Sequence, residues 1–108
     1  MKLLAIDPGY DRIGIAVIEK DREKNNNKET LIYSVCIQTD KKQTFYERML
    51  FVMNQLETII MEYSPEVLAL EELYFAKNTK TAMRVSEARG IIVAVCMRHH
   101  IAVHEIHP

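Results

Sequence analysis

Two short apolar runs, each ending in an acidic residue, constrain this chain most strongly. They are KLLAID at Lys2–Asp7 and VLALE at Val67–Glu71. Such runs are typical of strands that are covered on both faces of a parallel sheet, and ligands bind at the carboxyl edge of such sheets. If the two strands are neighbours, Asp7 and Glu71 lie about 4.8 Å apart and repel each other unless a proton or a cation lies between them. The sequence therefore predicts a divalent-metal site.

Composition limits the classes of protein that fit. The chain has 108 residues, which suits one domain, and it carries 14 Lys and Arg against 15 Asp and Glu. This balance gives no overall attraction to nucleic acid, so any DNA contact must come from a local patch. No apolar run approaches the roughly 20 residues of a membrane span, and no signal-peptide pattern is present. We expect a cytoplasmic protein without a membrane partner.

Periodicity predicts the element order β-β-β-α-β-α-β. The predicted strands are Lys2–Asp7, Arg12–Glu19, Thr30–Ile37, Val67–Glu71 and Ile101–Ile106, and the predicted helices run from Thr44 to Ser64 and from about Asn78 to Arg98. The apolar side of the second helix is assigned to Met83, Val85, Ala88, Ile91, Ile92 and Val95. Gly90 within this helix indicates a close backbone contact. Cys36 and Cys96 lie in apolar runs and predict two buried, reduced thiols, with a disulfide as the alternative.

Three antiparallel strands followed by α-β units predict a mixed five-stranded sheet in the order 3-2-1-4-5. The first and fourth strands are then parallel neighbours. This is the ribonuclease-H-like architecture, whose usual chemistry is two-metal phosphodiester hydrolysis. Right-handed crossovers put both helices on one face of the sheet. The opposite face is then bare, and we expect the isolated chain to self-associate, to be marginally stable or to bury that face against a partner.

Three blocks of the sequence resemble the RuvC-type Holliday-junction resolvases from end to end of the chain. They are IDPGYDRIGIAV at Ile6–Val17, ALEELYFAKNTKTAMRVSEARG at Ala69–Gly90 and VHEIHP at Val103–Pro108. The resemblance implies a ribonuclease-H-like, Mg²⁺-dependent endonuclease, with Mn²⁺ as the alternative ion. It also implies that the enzyme cuts four-way DNA junctions as a homodimer and works with a branch-migration helicase complex.

The resemblance also implies roles for particular residues. Asp7 and Glu71 match catalytic, metal-binding acids, while Glu72 falls on the other side of the strand. Candidate DNA contacts are Tyr74, Phe75, Lys77 and Asn78 from the middle block, with Lys80 and Arg84 on the same helix stripe as Lys77. Other interpretations stay open: a turn-forming Asp7, a solvated strand end at Glu71, ordinary aromatic packing and a solvated charge stripe.

Family members continue beyond the matching blocks to a helix that carries two further acids as D-x-x-D. We therefore expect an N-terminal portion, about two thirds of a family member, whose C-terminal helices are missing and which is itself inactive. The alternative is a non-catalytic junction-binding or dimerisation module. The actin and sugar-kinase fold fits poorly, because Tyr10, Asp11 and Arg12 occupy its phosphate-binding turn. The four histidines do not suggest zinc, since His104 and His107 fall on opposite faces of a strand.

Overall fold

The computed structural model describes residues 1–9, 11–21, 28–71 and 79–106. Its elements are β1 (Lys2–Asp7), β2 (Arg12–Lys20), β3 (Glu29–Gln38), α1 (Phe45–Tyr63), β4 (Val67–Glu71), α2 (Thr79–Arg98) and β5 (Ala102–Ile106). The sheet has five strands in the order β3-β2-β1-β4-β5. The first three strands pair antiparallel, and β4 pairs parallel with both β1 and β5. The predicted ribonuclease-H-like sheet is therefore confirmed.

One core joins both helices to the same face of the sheet, as the strand order predicted. Alternate residues of β1 and β4 enter this core, including Leu4, Ile6, Leu68 and Leu70. The helices contribute Met49, Val52, Leu56, Ile59 and Ile60 from α1 and Ala88, Ile92, Val95 and Cys96 from α2. Because all of these side chains form one cluster, the two helices and the sheet form a single packed unit.

Local signals fix the ends of α1. Thr44 caps its first turn: the hydroxyl accepts from the Glu47 amide at 3.2 Å, and the Glu47 carboxylate accepts from the Thr44 amide at 3.0 Å. The Glu47 carboxylate accepts from the Thr44 backbone amide and, with a smaller effect, from the Thr44 side chain, and both hydrogen bonds lower the pKa of Glu47. At the other end Ser64 takes a left-handed conformation immediately before Pro65. No helix in the described part of the chain is long and apolar enough to cross a membrane.

The other face of the sheet, called here the open face, lies opposite both helices. Its side chains alternate along each strand with those of the core. In β1 and β4 they are Leu3, Ala5, Asp7, Val67, Ala69 and Glu71. Leu3, Ala5, Val67 and Ala69 are half-buried, whereas Asp7 and Glu71 are exposed. Small side chains such as Ala5 and Ala69 occupy the middle of this face. The two acids lie at its carboxyl edge, where β1 and β4 end.

Three packing predictions were wrong. Cys36 is exposed, because it points to the open face from the edge strand β3. Met83 is 58% exposed, because it lies five positions from Ala88 and nine from Ile92 and so falls on the opposite side of α2 from these core residues. Gly90 has no close contact within the described part of its own chain, since a Cβ built there meets nothing within 4 Å. Met83 and Gly90 both lie on the side of α2 that is opposite its core residues, so the apolar character of Met83 alone did not predict its burial.

The two cysteines should differ sharply in reactivity. Burial raises the pKa of the Cys96 thiol to about 11, whereas Cys36 is exposed. At pH 8 we expect one thiol per chain to react rapidly with Ellman's reagent and the second to react only in denaturant. Cys36→Ser should abolish the rapid phase, and Cys96→Ser should leave it unchanged. Two rapid thiols, or none, would contradict the packing described above.

Candidate functional site

The two predicted acids lie side by side at the carboxyl edge of the sheet. Ile6 of β1 is paired with Leu70 of β4, so the next residues, Asp7 and Glu71, occupy neighbouring positions on parallel strands. Their backbones are separated by the inter-strand spacing of about 4.8 Å. Both side chains are exposed on the open face and line the same open cavity of about 650 Å³.

A glycine on β2, on the side of Asp7 away from Glu71, widens the cavity. Gly14 of β2 is paired with Asp7 of β1 on one side and with Cys36 of β3 on the other. A Cβ at Gly14 would lie 3.6 Å from the Asp7 Cβ, which is ordinary contact. Glycine therefore leaves this space empty, and the Asp7 carboxylate has room beside it for a cation and its water ligands.

The donor set suits a hard divalent cation. Carboxylate oxygens are the ligands that Mg²⁺ prefers, and Mg²⁺ commonly binds one or two carboxylates while it keeps several waters. Asp7 and Glu71 supply such a pair. Within the ranges that the structure describes, no group of three or more His, Cys, Asp or Glu residues could hold a metal ion. These two acids could therefore recruit a cation, but they leave most of its coordination to other ligands.

Comparison with known proteins gives the family. The model of the family described as crossover junction endodeoxyribonuclease RuvC matches residues 3–108. The chain belongs to the RuvC family. It is 39% identical over 108 residues to the crossover junction endodeoxyribonuclease RuvC of Thermosipho melanesiensis and covers 66% of that protein. The corresponding values for the RuvC of Petrotoga mobilis are 42% and 64%. All of this chain is matched in both, and it spans just under two thirds of their length.

Solved structures agree on the fold. Thermus thermophilus RuvC in complex with a Holliday junction substrate superposes with a TM-score of 0.90 at 21% identity, over all of this chain and 66% of that one. The yeast mitochondrial Holliday junction resolvase Ydc2 gives 0.70 at 15% identity, over 98% and 50% of the two chains. At these identities the likeness supports the RuvC fold, with its ribonuclease-H-like sheet, and nothing finer.

The predicted DNA-binding residues of this RuvC-family chain fall into two groups. Tyr74, Phe75, Lys77 and Asn78 lie outside the described residues, as does Glu72. Lys80 is exposed in the first turn of α2. Arg84 is half-buried, with its guanidinium carbon 4.1 Å from the centroid of the Phe45 ring and a guanidinium nitrogen 3.9 Å from Glu87. The aromatic ring holds Arg84 in a defined place, so the side chain is not a freely solvated cation.

His99 and His104 lie in different parts of this RuvC-family chain. His99 lies at the end of α2, where its Nε2 is 3.4 Å from the Glu57 Oε1, and Arg98 pairs with the same carboxylate. These contacts, the Arg98 hydrogen bond first, lower the pKa of Glu57. His104 is exposed and, by its register with Ala69, lies on the open face. His107 lies outside the described residues.

One polar group at the carboxyl edge was missed by the sequence analysis. Arg48 lies in the first turns of α1, is buried, and pairs with Asp11 in the connection between β1 and β2. The available signal was a charged residue directly before Met49 on the apolar side of the predicted helix. A long charged side chain at such a position usually reaches solvent, so the burial of Arg48 could not be expected from the pattern.

Proposed function

We propose that this chain is the nuclease portion of a Mg²⁺-dependent endonuclease that resolves four-way DNA junctions in recombination and repair, and that it acts in the cytoplasm. The observation that carries the proposal is the pair of acid-ended parallel strands, which places Asp7 and Glu71 together in one cavity. Family membership supports the reaction class, and the T. thermophilus RuvC complex supports the substrate. We also propose that the enzyme acts as a homodimer and that it works with a branch-migration helicase complex.

In this proposal Asp7 and Glu71 are the residues that hold the cation. When bound, Mg²⁺, or Mn²⁺ in its place, supplies an activated water and stabilises the leaving oxygen of the phosphodiester. The two carboxylates would hold the ion at the open face and would balance part of its charge. Gly14 keeps the neighbouring strand position empty, so the DNA backbone can approach without meeting a side chain there.

The proposed DNA surface adjoins the same edge of the sheet. We propose that Lys80 and Arg84 on α2 contact phosphate groups, and that Tyr74 and Phe75 stack on bases while Lys77 and Asn78 contact the backbone. What supports Arg84 is its preorganisation by Phe45, since a stacked guanidinium loses less conformational freedom when it binds a phosphate. The overall charge is near neutral, so binding would be local and salt-sensitive.

Cation binding can be tested directly on the 108-residue chain. We expect Mn²⁺, followed by electron paramagnetic resonance, to bind one site, and we expect Asp7→Asn and Glu71→Gln each to weaken binding at least about tenfold, because a ligand is lost. Glu66→Gln is the matched control, since Glu66 is an exposed carboxylate at the opposite end of β4. Equal effects of Glu66→Gln and Glu71→Gln would contradict the proposed site.

Cleavage is a separate prediction. With Mg²⁺ and a four-way junction, we expect the 108-residue chain to bind the junction in preference to duplex DNA of the same sequence but to leave it uncut. Two carboxylates do not fix two metal ions in a rigid arrangement. Electrophoresis of end-labelled junctions measures both results. If the chain does cut, the prediction of inactivity is wrong, and Asp7→Asn should then abolish the cutting. The alternative, a non-catalytic module, would also bind the junction without cutting it. In that case Asp7→Asn would not change the binding of cations.

The homodimer is proposed to form through the exposed side of α2. Met83, Gly90, Ala94 and Met97 are exposed, and their spacings of seven, four and three residues place them on one helix face. Glycine within a helix costs about 1 kcal/mol relative to alanine. The described chain gives Gly90 no contact that explains this cost. A second helix crossing closely at Gly90 does explain it.

Sedimentation equilibrium tests this interface. We expect the chain to be dimeric, and Met97→Glu or Gly90→Glu to shift it to monomer by placing a charge against the partner helix. Met61→Glu is the matched control, because Met61 on α1 is even more exposed, at 75% against 58% for Met97. A dimer that survives Met97→Glu but not Met61→Glu, or that survives both, would show that the chains associate through another surface.

A further inference from the structure

A polar unit joins three segments of the chain at the carboxyl edge. The Arg48 Nε donates to the Thr39 hydroxyl at 2.9 Å, and its terminal nitrogen forms an ion pair with the Asp11 carboxylate. The Thr39 amide donates to the Asp11 carbonyl oxygen at 3.0 Å, and the Thr39 hydroxyl donates to the same oxygen at 3.4 Å. Asp11 is thus held through both its side chain and its backbone.

The unit is buried at its centre. Thr39 is 5% exposed and Arg48 is 9% exposed. A guanidinium in such a place must keep its partners, because an unpaired buried charge is strongly unfavourable. The planar fork of arginine also lets one side chain bind Thr39 and Asp11 at the same time, which a single ammonium group cannot reproduce. The three segments therefore keep one fixed relation to one another.

The segment that this unit holds is the one that follows Asp7. Asp11 comes four residues after Asp7, in the connection from β1 to β2. The connection is tight at Gly9, where a Cβ would lie 2.3 Å from the Arg12 carbonyl oxygen. Gly9 lies two residues after Asp7, and Arg12 directly follows Asp11, so this close backbone contact couples the position of Asp11 to the end of β1. The Asp11 carboxylate is already paired with Arg48, so its negative charge is balanced within this unit.

We propose that Arg48 is a positioning residue for the Asp7 and Glu71 cation site, and that it acts by holding the turn after β1 through Asp11 and Thr39. It contacts neither the cation nor the DNA. The inference rests on the proposed function, since it assigns a supporting residue to that site. It also makes Asp11 a structural partner of Arg48 and not a third ligand.

Mn²⁺ titration followed by electron paramagnetic resonance, on the 108-residue chain, tests the proposal. We expect Arg48→Met to weaken Mn²⁺ binding by up to roughly tenfold, which is the lower end of the loss seen when a direct partner of a metal ligand is removed. Arg48→Lys should fall between wild type and Arg48→Met, since lysine keeps the positive charge but cannot bind Thr39 and Asp11 at the same time. Asp11→Asn should weaken binding, and combining it with Arg48→Met should add little, because both changes break the same contact.

The matched control is Arg98→Met, which removes an arginine paired with Glu57 at the far end of α2 and should leave Mn²⁺ affinity unchanged. If Arg48→Met does not fold, as judged by its thermal melt, Thr39→Val decides the matter. It keeps the shape of the side chain but removes the hydroxyl, and it should weaken Mn²⁺ binding with a cooperative melt retained.

The outcomes separate the possible explanations. If Asp11 were itself a ligand, or if Arg48 merely repelled the cation, Arg48→Met would strengthen Mn²⁺ binding, and the proposal would be overturned. No change in affinity for a folded Arg48→Met or Thr39→Val would overturn it as well. Asp7→Asn in the same assay keeps the two proposals distinct. If Asp7→Asn has no effect, the cation site itself is misplaced; if only Asp7→Asn has an effect, the positioning role alone fails.

Discussion

The one-sided core is the constraint on which the rest of the structure depends. Both helices pack on one face of the sheet, so each central strand must send alternate residues to that face. Leu4 and Ile6 do so from β1, and Leu68 and Leu70 do so from β4. The residue that follows each pair is then forced to the open face. Asp7 and Glu71 are those residues, and a shift of one residue in either strand would turn an acid towards the core.

The carboxyl edge is assembled from parts of the chain that start or end there. β1, β3 and β4 all end at this edge, and α1 and α2 both begin after it. Two contacts connect these beginnings: Arg48 of α1 is paired with the turn after β1, and Arg84 of α2 is stacked on Phe45 of α1. The edge is therefore held by polar and aromatic contacts of single side chains, whereas the middle of the sheet is held by apolar packing.

Periodicity was sufficient to predict the sheet order, the common face of the helices and the adjacency of the two acids. Each of these follows from alternation in short strands and from the handedness of crossovers, which depend on backbone geometry. The exposure of Cys36 was not predictable in this way, because an apolar run does not show whether its strand lies at an edge. Likewise the apolar character of Met83 suggested burial, but Met83 and Gly90 both lie on the side of α2 opposite its core residues.

The polar support of the edge was also beyond the sequence. Burial of Arg48 depends on Thr39 and Asp11, which lie 9 and 37 positions away and come together only in the folded chain. The roles of Asp7 and Glu71 as ligands, and those of Lys80 and Arg84 at DNA, stay predictions. The fold supplies their places, and the proposed experiments address their chemistry.

The parallel pairing of β1 with β4 has a consequence for the order of folding. The hairpin of β1 and β2 and the single helices consist of local contacts, whereas Asp7 and Glu71 are brought together across most of the chain. Closing so long a loop is entropically costly and slow compared with local structure. An early intermediate that has only local contacts therefore does not bring the two acids together. A cation that needs both binds only the chain with a completed central sheet, and it draws the folding equilibrium towards that state.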